Sequence, residues 1–340
     1  MRLKVNNIIT QTPMRITLGG GGTDVYWYSK LRKGAWISAA INKYVYIFLN
    51  QTDDPNIIKV FDGSQYYIVN DLKQIENPIV QECLEKTDVK RGVQITTISE
   101  VSGRSGLGGS GSFEVGLLNV LYTFKSKKVT QLELGEQAAY IEIEKLKKPV
   151  GPQDQYITAI GGINYFEIDK KGKVSVEVLK LSKKTIQDLE RNIVYFSTGI
   201  NRDAESVLND QKKKSESSSD VSSKVLDALD KIKDIGQDVK QYLLKGQVDK
   251  FGASLHKHWL IKKSLSDKVS NSQIDDWYNH GIKNGALGGK IMGAGGGGWF
   301  MFYVNKNHDN FKKKMAKLGL IPQEVNFDWE GTKILNKWQI

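Results

Sequence analysis

The sequence predicts an α/β protein of two domains, on three observations. Its 340 residues suffice for two ordinary domains with substantial cores. Short runs rich in Ile, Val, Tyr and Phe alternate with charged segments of helical period. Three glycine-rich stretches lie near the start, the middle and the end of the chain, too dispersed to be one linker. We place an N-terminal domain at 1–185 and a C-terminal domain at 186–340, with a site in the cleft between them.

In chain order, Pro13 to Leu18 is a short strand running into Gly19, Gly20, Gly21 and Gly22, then Thr23 and Asp24. So flexible a backbone is entropically unfavourable to order unless something holds it close. Asp24 could cap the aromatic helical turn Val25 to Tyr28, or aim a carboxylate at sugar hydroxyls. Ala35 to Asn50 reads as strand with a turn near Asn42-Lys43, 56–70 as short strands around Asp62-Gly63-Ser64, and 71–86 as a helix. Val93 to Ile98 is a strand and Phe113 to Phe124 a helix. The loop between them, 101–112, is the centre of the reading. Glycines there let the backbone approach a ligand, and the first free N–H groups of the helix point at whatever occupies the loop, most naturally a polyphosphate.

A helix follows over Gln131 to Lys147, with Leu134, Ala138 and Ile141 on a core face and Glu142 and Glu144 near its end, where carboxylates oppose the helix dipole. The break Pro149-Val150-Gly151-Pro152 then presents Asp154 on a turn, a setting suited to function. Strands at 163–168, 174–179 and 192–197 precede a charged helical region, 203–266, interrupted by a Ser-rich loop over Ser215 to Ser223 expected to be mobile. A helix at 274–280, the third glycine segment at 286–298, a strand at 299–304, a helix at 311–318 and a strand at 333–340 complete the chain.

Composition narrows the function. The chain is 39% hydrophobic and 26% charged, as in soluble globular proteins. No apolar run reaches the roughly 20 residues of a membrane helix, and Met1 to Asn6 has no signal-peptide character. A cytoplasmic protein is expected, without a membrane partner. The single cysteine, Cys83, sits in a helical context and reads as a packed small residue. A net charge of +11 suits a phosphate-bearing substrate or a nucleic acid. The charge is almost all lysine and is dispersed, and its densest clusters, Lys212 to Lys214 and Lys312 to Lys314, read as solvated helix faces. Arginine occurs only at Arg2, Arg15, Arg32, Arg91, Arg104, Arg191 and Arg202, so nucleic acid is not the expected partner.

Neither the Gly-Lys-Ser order of a Walker loop nor a dinucleotide G-x-G-x-x-G with its downstream ribose acid is found. Pro13-Met14-Arg15 through Thr23-Asp24, the loop Ser105 to Ser112, and Lys290 to Gly298 resemble, in order, the three signature motifs of the GHMP small-molecule kinases. The resemblance runs the whole length of the chain. Within that superfamily it is nearest to the D-glycero-D-manno-heptose 7-phosphate kinases, through the glycines before Thr23-Asp24, the Gly-Leu-Gly-Gly-Ser loop, Gln153-Asp154-Gln155-Tyr156 and the Trp-rich C-terminus. Galactokinases are less similar, carrying Gly-Glu-His-Thr-Asp where this chain has Gly20-Gly21-Gly22-Thr23-Asp24. Fucose kinases share a Gly-Gly-x-Thr-Asp.

The resemblance implies a two-domain kinase that uses ATP and Mg²⁺ to phosphorylate the anomeric hydroxyl of a sugar phosphate, with a homodimer possible in the family. It implies a phosphate loop at Ser105, Gly106, Leu107, Gly108, Gly109, Ser110, Gly111 and Ser112. Ser110 would be a metal ligand with Glu144, ten residues before the catalytic Asp154; Glu142 is the fallback should the register slip. Arg15 would hold Asp154 and steady the transferring group. Gly20, Gly21, Gly22, Thr23, Asp24 and Gly295 would bind the sugar. A substrate already phosphorylated needs a second anion site, for which Arg104, Arg202, Lys262, Lys263 and Lys290 are candidates. The departures are Gly109 and Gly111, where many relatives have Ser and Ala.

Overall fold

A computed structural model describes residues 5–201, 204–217 and 219–339. Among them the order is β1 (Val5–Gly19), α1 (Tyr26–Arg32), β2 (Gly34–Gln51), β3 (Ile58–Phe61), β4 (Tyr66–Val69), α2 (Pro78–Thr87), β5 (Val93–Ser99), α3 (Gly109–Phe124), α4 (Gln131–Tyr140), α5 (Gln153–Ile160), β6 (Ile163–Ile168), β7 (Val174–Val178) and α6 (Lys183–Asn192). It continues with β8 (Ile193–Ser197), α7 (Ala204–Ser215), α8 (Ser219–Leu244), α9 (Val248–Lys263), α10 (Ser272–Lys283), β9 (Ala286–Ile291), β10 (Trp299–Val304), α11 (His308–Ala316), β11 (Ile321–Gln323) and β12 (Lys333–Gln339).

Two sheets carry this order. The first runs β12-β1-β2-β5-β3-β4, with β6 on β2 and β7 on β6; the second runs β11-β8-β10-β9. The last strand, β12, therefore leaves the C-terminal half and pairs with β1, so the sheets do not divide cleanly at residue 185.

The long strand β2 organises the first sheet. It pairs β1 along almost its whole length, β6 through Gly34 to Ala39 and β5 through Val45 to Gln51. The turn expected near Asn42-Lys43 is instead a bulge: Tyr44 faces Pro13 while Ile41 faces Met14. Pro13 has no N–H for the ladder, and a strand yields there by bulging rather than by reversing. The first half of β2 is covered on both faces, by Ile37, Ala39 and Ile41 in the main core and by Trp36 and Ala40 against Tyr156, Ile157 and Phe166. Strand β10 does the same for the second sheet. Trp299, Met301 and Tyr303 join the main core, while Phe300, Phe302 and Val304 pack under α10 and α11. One core thus ties the two sheets together.

Three helical expectations are revised. Over 71–86 a single 3₁₀ turn, Leu72–Gln74, precedes α2, whose start is set by Pro78 and by Asn77, the side chain of which accepts from Ile79 and Val80 N–H. The loop expected over Ser215 to Ser223 is short, because Ser215 ends α7 and Ser219 opens α8. Serine is only a mildly poor helix former, and the apolar stripe Val225, Leu229, Ile232, Val239 and Leu243 outweighs it. The third revision, within Gln131 to Lys147, bears on the site. No helix among the described residues is long and apolar enough to cross a membrane.

Trp36 is fully buried and stacks on Phe166 with ring centroids 5.2 Å apart. Trp36→Ala is expected to lower stability by about 3–5 kcal/mol, read as a shift of the urea midpoint at unchanged slope.

Candidate active site

Arg15 sits on β1 and is nearly buried, with its side chain 5% exposed. Its Nε donates to Asp154 Oδ1 at 2.7 Å and its Nη2 to Asp154 Oδ2 at 2.8 Å, a fork on a carboxylate. Its Nη1 donates to the Gly106 carbonyl at 2.5 Å, and its backbone N–H to the Leu107 carbonyl at 2.9 Å. One residue thus fixes both the glycine loop and the aspartate. Asp154 lies in the first turn of α5 rather than on an open turn: Pro149 to Pro152 form the approach, and the helix begins at Gln153.

Arg15 and Asp154 border a cavity of about 800 Å³. Of the loop, Ser105, Gly106, Gly108, Gly109 and Ser110 face it. Leu107, Gly111 and Ser112 do not line it. Leu107 is a fully buried core residue, and the Ser112 hydroxyl is turned to the Pro13 and Gly108 carbonyls. Gly108 takes φ +77° as the cap of α3, which aims the helix's free N–H groups at the cavity. Gly111 has a packing reason: an added Cβ would come within 2.8 Å of Asp154 Cβ and 3.1 Å of the Gln155 nitrogen. At Gly109 an added Cβ would meet only Met14 Cε, at 3.8 Å.

The first glycine segment divides similarly. Gly21, Gly22 and Asp24 line the cavity, whereas Gly20 and Thr23 hold the turn. Gly20 has φ +74° and room for no Cβ, since one would lie 2.2 Å from the Ala35 carbonyl. The Thr23 hydroxyl accepts from Ala35 N–H and faces the Gly20 and Ala35 carbonyls. Asp24 does not cap α1, whose N-cap is Val25. Its carboxylate is buried and accepts from the N–H groups of Gly22 and Gln153. Burial, then the charge of Asp154, pushes Asp24 up to about 6. Gly151 makes this possible, because a Cβ there would fall 2.1 Å from Asp24 Oδ2.

Of the two glutamates the structure brings Glu142, not Glu144, to the cavity. Glu144 is half exposed and bonded to Lys147. Glu142 is buried, with Oε1 accepting from Lys148 at 2.9 Å and Oε2 from Gln155 at 2.5 Å. The cause is local: α4 passes into a π-helical turn, Ile141–Lys145, closed by Leu146 N–H on the Ile141 carbonyl. Residues two apart on a helix point to opposite sides, so only one of the pair can face in, and the extra residue in the turn decides which.

The third glycine segment braces the loop. Trp299 N–H donates to the Ser105 carbonyl at 3.0 Å, and a Cβ on Gly298 would lie 2.2 Å from that oxygen. Gly295, expected at the substrate, takes φ +111° against Val269 and does not line the cavity. Among the anion-site candidates, Arg104, Lys262 and Lys290 line the cavity, and Lys263 is bound to Asp275. Arg202 lies outside the described residues. The sequence reading missed Lys148, Gln155 and His258. Gln155 is adjacent to Asp154 and was legible as its neighbour, Lys148 stands six residues from Glu142, and His258, on a mixed helix, had no signal.

Residues 73–162 match the family described as GHMP kinases N terminal domain, and 239–319 that described as GHMP kinases C terminal. The chain is 31% identical, over 99% of its length and 100% of the relative's, to the D-glycero-alpha-D-manno-heptose 7-phosphate kinase of Campylobacter jejuni. A crystal structure of a D-glycero-D-manno-heptose 1-phosphate kinase from Bacteroides thetaiotaomicron covers 98% of this chain and 99% of its own with TM-score 0.80 and 25% identity. Streptococcus pneumoniae phosphomevalonate kinase in complex with phosphomevalonate and AMPPNP shares the fold, with TM-score 0.75 and 15% identity over 94% and 99% of the chains. The chain belongs to the GHMP kinases. It is a phosphotransferase acting on a hydroxyl group, in a family that uses ATP.

Two outcomes follow from this packing. Gly111→Ala should lower kcat by about 10²-fold through displacement of Asp154, while Gly109→Ala leaves it within about two-fold; steady-state kinetics at saturating ATP separates them. Asp24 carries a raised value, so its contribution to stability is full below 3.8 and is lost as pH rises through about 6. Asp24→Asn should therefore gain on the order of 3 kcal/mol above pH 6 and nothing in acid below 3.8, by urea unfolding at the two ends of that window.

Proposed function

We propose that this kinase transfers the γ-phosphate of ATP to the anomeric hydroxyl of D-glycero-D-manno-heptose 7-phosphate, giving the 1,7-bisphosphate. The observation that carries the reading is the Arg15 fork on Asp154 beneath the glycine loop. The substrate comes from the full-length similarity to the Campylobacter relative. In this reading the loop and the start of α3 cradle the nucleotide phosphates. Asp24, with Gly21 and Gly22, holds the sugar hydroxyls. Asp154 orients the attacking hydroxyl and takes its proton.

A carboxylate fixed by a guanidinium is a positioning group, which suits phosphoryl transfer. The transition state is loose, and positioning and charge stabilisation matter more than early proton removal. Oδ1 of Asp154 accepts from Gln153 Nε2 at 3.4 Å as well as from Arg15, whereas Oδ2 keeps a lone pair beyond the one used by Arg15, so the sugar hydroxyl can still donate to it. Arg15, anchored on three sides, needs no rearrangement to stabilise charge on the transferring group.

The donors for Mg²⁺ are the Ser110 hydroxyl and the Glu142 carboxylate. Both line the cavity and both are hard oxygen ligands, and magnesium is commonly held by one or two carboxylates with substrate phosphates completing its shell. When held by Ser110 and Glu142 it would supply positive charge to offset that of the nucleotide phosphates. Lys148 and Gln155 hold Glu142 in place for this role.

Asp154→Asn should lower kcat by roughly 10²–10⁴-fold and leave the Kd for a non-hydrolysable ATP analogue within about two-fold. Kinetics on heptose 7-phosphate, unphosphorylated heptose and fucose tests the substrate. The phosphorylated heptose should have the highest kcat/KM, and a higher value for fucose would replace it. Glu142→Gln should raise the Mg²⁺ concentration for half-maximal rate by about 10-fold or more and Glu144→Gln should not; the reverse order would restore Glu144.

A further inference from the structure

At the floor of the cavity, where β9 meets α9, the polar groups do not balance. Lys290 on β9 is 3% exposed, and its Nζ lies 3.5 Å from Nδ1 of His258 on α9. His258 is also buried, and its Nε2 has no hydrogen-bond partner. Both side chains line the cavity. From α9 they are faced by Lys262, whose Nζ donates to the Ile291 and Gly293 carbonyls. From β1 they are faced by Arg15, whose charge is already matched by Asp154 of α5. Among the described residues no carboxylate pairs with Lys290.

A buried ammonium without a counter-ion is strongly disfavoured, and apolar packing would serve the fold better. Burial, then the charge of Arg15, brings Lys290 down to about 7. Burial with Lys290 and Lys262 beside it holds His258 well below its ordinary value. With Nδ1 accepting from Lys290, the neutral imidazole carries its hydrogen on Nε2, a second donor awaiting an acceptor.

We propose that Lys290 and His258 form a seat for a phosphate group, Lys290 supplying the charge and His258 Nε2–H a directed hydrogen bond. Its choice of anion rests on the kinase reading: the phosphate is either the one the acceptor already carries or the γ-phosphate of the nucleotide. Arrival of the anion holds Lys290 cationic, so binding above neutral pH takes up a proton.

Titration calorimetry at pH 8, in two buffers of different ionisation enthalpy, tests this on wild type, Lys290→Met, Lys290→Arg and His258→Asn. The ligands are heptose 7-phosphate, unphosphorylated heptose, AMP-PNP and ADP. Wild type should take up a proton with one phosphate-bearing ligand. Lys290→Met should weaken that ligand by roughly 10-fold or more and abolish the uptake, leaving the ligand that lacks the phosphate unchanged. Lys290→Arg should keep affinity without uptake, and His258→Asn should weaken the same ligand less. Loss confined to heptose 7-phosphate assigns the acceptor's phosphate; loss confined to AMP-PNP assigns the γ-phosphate. Failure of wild type to bind heptose 7-phosphate would remove the proposed substrate, and AMP-PNP with inorganic phosphate would still decide the seat. If Lys290→Met does not fold, proton uptake by wild type and its absence in Lys290→Arg decide instead. All ligands bound by Lys290→Met within about two-fold of wild type, or no proton uptake by wild type, overturns the proposal.

Discussion

The forked bond between Arg15 and Asp154 is the interaction on which the rest of the site depends. It joins the longest pairing of the first sheet to the start of α5 and, through the Gly106 and Leu107 carbonyls, to the loop before α3. Three elements far apart in the chain are thereby held by one guanidinium, whose planar fork loses little freedom on binding. The side chain is nearly buried, so the bond is only weakly screened by salt. A site built this way is rigid before substrate arrives, as electrostatic stabilisation of phosphoryl transfer requires.

Around that bond the dominant constraint is closeness of backbone. Gly111 lets α3 lie against Asp154, Gly151 lets the chain pass over Asp24, and Gly298 lets the second sheet's loop press on Ser105. At Gly111 and Gly298 a methyl group would meet backbone or Cβ atoms, and at Gly151 it would meet the Asp24 carboxylate and, at 2.7 Å, the Asp24 backbone carbon. The glycines have divided duties: some expose N–H groups to the cavity, and others are the hinges and braces that keep those N–H groups in place. Asp24 shows what this closeness does to a charge: burial drives its carboxylate toward neutrality at the edge of the cavity.

Much of this was legible in the chain. The glycine loop between a strand and a helix, and the motifs around Arg15 and Asp154, have signatures that survive without coordinates, because turn chemistry and helix N-termini act over a few residues. The misreadings originate in non-local packing, apart from one that comes from a local helical irregularity. The bulge at Asn42-Lys43 arises from Pro13 on the neighbouring strand. Glu142 replaces Glu144 through one π-helical turn that no composition signal marks. Gly295 resembles the other motif glycines in sequence, yet its contact is Val269, on a segment that comes from elsewhere in the chain. The return of β12 to the first sheet is a pairing across more than 300 residues, and His258 becomes notable only beside Lys290.

The most direct measurement is phosphorus NMR of the purified protein with Mg-ATP and D-glycero-D-manno-heptose 7-phosphate, beside the same mixture with unphosphorylated heptose and with fucose. The account predicts a new anomeric phosphate with heptose 7-phosphate, formed as ATP is converted to ADP. Phosphate appearing on another hydroxyl, or on a neutral sugar and not on heptose 7-phosphate, would contradict it, as would ATP left intact with every sugar.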